Sequence, residues 1–128
     1  MAKELSVTDW LAALEHPQKD ALIELCAVIR GIDPRISEEI KWHAPSFAIT
    51  DHFATTGLPK KGGGLHLVLH TGAKVKLRQA RVPIDERGLP LEWRGLDRAV
   101  LLFSDLADVR AKAPALTSVL TQWIAATQ

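Results

Sequence analysis

Apolar residues recur along this chain with two different periods, and the change from one to the other divides it. Val7, Trp10, Leu11 and Leu14 fall at the i, i+3, i+4, i+7 spacing of one helical face, with Ser6 or Thr8 placed to cap the helix. His16 and Pro17 end it. Pro17 also suits the first turn of a second helix, where a missing N–H costs no bond, and Leu22, Leu25, Cys26 and Ile29 form the buried stripe of that helix before Gly31 stops it. The pattern predicts a helical hairpin.

Asp33 and Pro34 open a connection, after which Ser37 followed by Glu38 and Glu39 predicts a short capped helix carrying Ile40, Lys41 and Trp42. On that reading the two carboxylates complement the helix dipole, and Pro45 breaks the helix. From Phe47 the period becomes two: Phe47 and Ile49, then Phe53 and Thr55, then Leu65, Leu67 and Leu69. The segment from Leu58 to Gly64 is polar and glycine-rich and links two strands. His70 to Ala73 predicts a tight turn into a strand over Lys74 to Leu77, where basic and apolar residues alternate.

After an irregular stretch with Pro83, Gly88, Pro90 and Gly95, the apolar run Ala99 to Phe103 predicts a covered strand. Ser104 then predicts the cap of a short helix, and Pro114 the opening of a final helix bearing Leu116, Val119, Leu120, Trp123 and Ile124. Helices first, strands in the middle and helices last predict an α+β fold, an antiparallel sheet with N-terminal and C-terminal helices packed on one face.

At 128 residues and 47% hydrophobic composition, the chain has material for one core and predicts a single domain over 1–128. Sixteen Lys and Arg against 15 Asp and Glu is not the strongly basic balance of a dedicated nucleic-acid binder. One cysteine, Cys26, excludes an internal disulfide and a thiolate metal cluster, which fits a reducing cytoplasm. No run of spanning length or basic leader is present, so no membrane partner is expected.

Charge changes the picture locally. Between Asp51 and Asp85 there is no acidic residue, while Lys60, Lys61, Lys74, Lys76, Arg78 and Arg81 lie there with His52, His66 and His70. Strand alternation sends Lys74, Lys76 and Arg78 to the face opposite Val75 and Leu77, which predicts a basic sheet face able to hold phosphate, carboxylate or an acidic protein. The bland alternative is a solvated strand whose lysines discourage edge pairing. Trp42, His43 and Ser46 lie where the predicted helix breaks into the first strand, offering an apolar wall, a titratable contact and a hydrogen-bonding group at an edge. Alternatively, Trp42 simply anchors the helix on the core.

His66 and His70 have H-x-x-x-H spacing, but on a strand rising about 3.3 Å per residue they stand roughly 13 Å apart, too far to share a metal. Each could join His52 or His43, although an isolated histidine on a sheet face is more often an ordinary polar residue. Cys26 lies on an apolar stripe and reads as a small buried hydrophobe. No Gly-x-Ser-x-Gly elbow, P-loop or dinucleotide fingerprint is present.

The segments Ser37-Glu38-Glu39-Ile40-Lys41-Trp42-His43-Ala44-Pro45-Ser46-Phe47 and His70-Thr71-Gly72-Ala73-Lys74-Val75-Lys76 resemble a bacterial YdhG-like domain family of unknown function. The resemblance implies an α+β fold of that type and carries no agreed catalytic residues. Some members are named as frataxin-like intracellular iron chaperones, so it also implies iron as a possible cargo. Iron favours oxygen ligands, yet the carboxylates here form no dense run. The expected function is a non-catalytic cytoplasmic binding or interaction module for an anionic small molecule or acidic protein. Its candidate ligand-binding residues are Trp42, His43, Ser46, His66, His70, Lys74 and Lys76, with no resident metal or cofactor.

Overall fold

The computed structural model describes residues 6–41, 44–58, 64–71 and 82–128. Trp42, His43, Lys60, Lys61, Lys74, Lys76, Arg78 and Arg81 lie outside them, as does the strand expected over Lys74 to Leu77. Ser6 caps α1 (Val7–Ala13), its hydroxyl accepting from the Asp9 N–H at 3.1 Å. Pro17 lies in the turn before α2 (Lys19–Arg30), whose Leu22, Leu25, Cys26 and Ile29 are fully buried. The strands are β1 (Ser37–Lys41), β2 (Ala44–Ala48), β3 (His52–Gly57), β4 (Leu65–Leu69), β5 (Glu92–Trp93) and β6 (Ala99–Phe103), followed by α3 (Leu106–Thr127).

Among the described residues the strands form one six-stranded antiparallel sheet in the order β1-β2-β3-β4-β6-β5. Period-two alternation sends Phe47, Leu65, Leu67, Leu69, Leu101 and Phe103 to one face, where all are fully buried in the core with α2 and α3. Trp93 of β5 lies against Trp123 of α3 with ring centroids 5.9 Å apart. The fold is therefore α+β, with the helices packed against the sheet.

Three local expectations are corrected. The segment from Ser37 is strand β1, not a helix: it pairs along its length with β2, and the Ser37 hydroxyl donates to the Ala48 carbonyl instead of capping. Pairing and half-burial outweigh a local cap signal, and Pro45 sits within β2 rather than ending a helix. The cap of the last helix is Asp105, not Ser104: the Asp105 carboxylate accepts from the Asp108 N–H at 2.8 Å, while the Asp108 carboxylate reaches back to the Ser104 N–H at 2.9 Å. Finally, Pro114 opens no new helix. It lies inside α3, which runs continuously through it.

The β2–β3 hairpin holds the irregularity that positions the candidate site. Phe47 pairs with Ala54, but Ala48 pairs with His52, so Phe53 is an extra residue, a β-bulge. Phe53 and Ala54 are both fully buried, and the shift brings His52 onto the same face as Thr55. In the turn, the Thr50 and Asp51 N–H groups both donate to Gln128 Oε1 at 2.9 Å.

Candidate functional site

On the face away from the helices, β1 to β4 carry a continuous row of polar side chains. Glu39 on β1 and Ser46 on β2 are register partners, as are Ser46 and Thr55 on β3, so strand pairing alone sets these groups side by side. His52 joins them through the bulge, and His70 follows the end of β4 with its N–H donating to the Phe53 carbonyl at 3.0 Å.

The row is hydrogen-bonded from end to end. Glu39 Oε1 lies 2.6 Å from His52 Nε2, and His52 Nδ1 lies 2.7 Å from Ser46 Oγ. Ser46 Oγ lies 2.8 Å from Thr55 Oγ1, which in turn lies 2.8 Å from His70 Nε2. The Glu39 side chain is 54% exposed, whereas Ser46 is fully buried and His70 only 5% exposed. The chain therefore runs from solvent into the interior. Its far end is fixed from the core, because Trp123 Nε1 donates to the His70 carbonyl at 2.9 Å.

Burial holds the His70 imidazole far below its ordinary value, at about 4, and the positive fields of Arg98, His52 and Lys41 act in the same direction against an opposing Asp97. His70 is neutral near pH 7 and sits in a positively biased environment. Asp97 is tied to Thr71, whose hydroxyl donates to Asp97 Oδ2 at 3.0 Å. His66 belongs to the same face but a different place: its ring lies over Gly57, where an added β-carbon would overlap it, and burial lowers its proton affinity. His66 and His70 are thus not gathered into one cluster.

Of the expected site residues, Ser46 and His70 are joined within this row, His66 stands apart, and Trp42, His43, Lys74 and Lys76 lie outside the described residues. The described part of this face is not uniformly basic, because Glu39 shares it with Lys41. Glu38 and Glu39 do not act as a pair at a helix start. They point to opposite faces of β1, and Glu38 binds Arg30 at 3.1 Å while Glu39 binds His52. Glu39, His52, Thr55 and Arg98 were absent from the expected set. The period-two reading put Thr55 on the same face as Phe53, and the structure corrects it: Phe53 is buried in the core and Thr55 lies on the opposite face, because nothing local announces the bulge that also turns His52 toward Thr55.

Glu39, His52 and Ser46 carry the residue types of a carboxylate, base and hydroxyl nucleophile. Burial argues against that chemistry: Ser46 Oγ is enclosed and already within bonding distance of His52, Thr55 and the Ala54 carbonyl at 3.3 Å. Among the described residues no group of three or more His, Cys, Asp and Glu could hold a metal ion. Cys26 is fully buried, and its thiol is pushed up to about 12 by burial and then by Glu38, against the opposing charge of Arg30.

Among the described residues no helix is long and apolar enough to cross a membrane. No family model, no curated protein and no solved structure matches the chain.

Proposed function

We propose that the protein is a non-catalytic binding module for a small anion, a phosphate- or carboxylate-bearing molecule, taken on the sheet face opposite the helices. The hydrogen-bonded row from Glu39 to His70 carries this reading, because Lys41 and Arg98 both bring positive charge to its inner end. The two cations supply fixed charge, and the hydrogen-bonded hydroxyls hold the two imidazoles in place. The same proposal extends to Lys74 and Lys76, and to membership of the YdhG-like family.

The test is thermal unfolding across phosphate, sulfate, citrate and nucleotide monophosphates, with sodium chloride at matched ionic strength as the control. A ligand at a hundred times its Kd stabilises the folded state by about 2.7 kcal/mol, a shift of several degrees for a chain this size. Lys41→Glu, Arg98→Glu and the Lys74→Glu/Lys76→Glu pair should each abolish the gain. No shift across the panel would remove the proposal.

A further inference from the structure

The hydrogen-bonded row does more than hold the imidazoles in place, because its proton positions are interlocked. When the Glu39 carboxylate accepts from His52 Nε2–H, a neutral His52 presents Nδ1 as an acceptor. Ser46 O–H then donates to His52, Thr55 O–H donates to Ser46, and His70 Nε2–H donates to Thr55, so every bond points toward Glu39. Protonating His52 makes Nδ1 a donor to Ser46. The Ser46 hydroxyl must then turn, either to the Ala54 carbonyl or to Thr55, and in the second case Thr55 donates to His70 Nε2.

We propose that an anion bound on this face is taken up together with a proton held by the His52–His70 pair, with the Ser46 and Thr55 hydroxyls setting which imidazole carries it. This rests on the anion-binding reading and specifies how that site is regulated. Among the described residues the charged groups facing the pair include Glu39 and Lys41 from β1 and Asp97 and Arg98 from the segment before β6; β2 contributes the Ser46 hydroxyl, and α3 the Trp123 indole on the His70 carbonyl. Within this described set Glu39 and Asp97 stand against Lys41 and Arg98, two charges of each sign. One added proton shifts that set toward positive charge. Charge on one imidazole disfavours charge on the other, which favours a single proton over two. An anion removes part of the electrostatic cost of that proton, and by linkage the proton strengthens the anion.

The experiment is sulfate binding by calorimetry between about pH 8 and about pH 5.5, a window in which imidazole changes charge while Lys and Arg do not. Sulfate itself does not titrate there. Affinity should rise as pH falls, by up to about tenfold per pH unit at full coupling, and titrations in two buffers of different ionisation enthalpy should count up to one proton taken up per sulfate. His52→Gln should flatten the pH dependence, while His66→Gln should retain it. In unaltered protein at constant pH, saturating sulfate should move one ring's ¹⁵N resonances, of His52 or His70, toward the doubly protonated pattern. Sulfate that binds equally at both ends of the window, with no proton count and unchanged ring resonances, would overturn the coupling and leave the anion site standing. Absence of any sulfate binding would overturn both.

Discussion

At the scale of single residues, Ser46 is the keystone of the polar row, since its hydroxyl is the sole link between His52 and Thr55 in that chain. Ser46→Ala removes the hydroxyl that part-buried His52 and Thr55 both bond, which costs about 1–3 kcal/mol. Urea denaturation should show a lowered midpoint with an unchanged slope. Ser46 and His70 were legible in the sequence as polar residues in strand-like surroundings. Their connection was not, since Glu39 and His70 are remote in the chain and meet only through three successive strand pairings.

At the scale of elements, the start of α3 separates two neighbouring candidates for the cap. Asp105→Ala removes the acceptor of the Asp108 N–H and should cost about 1 kcal/mol in chemical denaturation. Ser104→Ala keeps the backbone N–H that Asp108 binds and should be close to neutral. Most elements followed from their apolar patterns: the stripes of α1, α2 and the second half of α3, the alternation of β4 and the continuous apolar run of β6, while β3 was legible as a strand but its bulge puts Phe53 and Thr55 on opposite faces. Two escaped them for identifiable reasons. β1 carries a helix-start signal that tertiary pairing overrides, and β5 is two residues long, too short to display any period. The continuity of α3 through Pro114 was hidden because proline is equally at home in a first turn, and its flanking core contacts keep the helix together.

At the scale of the whole molecule, the buried neutral His70 makes the fold acid-sensitive. Its proton affinity is lower in the folded state than in the unfolded chain, so the unfolded chain binds the extra proton first. Stability therefore holds above about pH 6.5 and declines as pH falls toward about 4, below which this loss is complete. Denaturation midpoints measured across that interval should fall more steeply for the natural chain than for His70→Gln, which has no imidazole to charge. An equal slope in both would assign the acid response to other groups.

The extra residue at Phe53 works as a parity device. Counting back from Thr55 in an even strand, position 52 would come out beneath the sheet among leucines; the one surplus residue returns it to the upper side. Slipping the hairpin by one residue, so that Phe53 rather than His52 lies opposite Ala48, would leave its strands able to pair, yet would send an imidazole into hydrocarbon and separate Glu39 from every group beyond it. Ironing out the bulge by such a slip would thus erase the linkage while preserving the scaffold, whereas excising Phe53 would keep the linkage and forfeit a core ring.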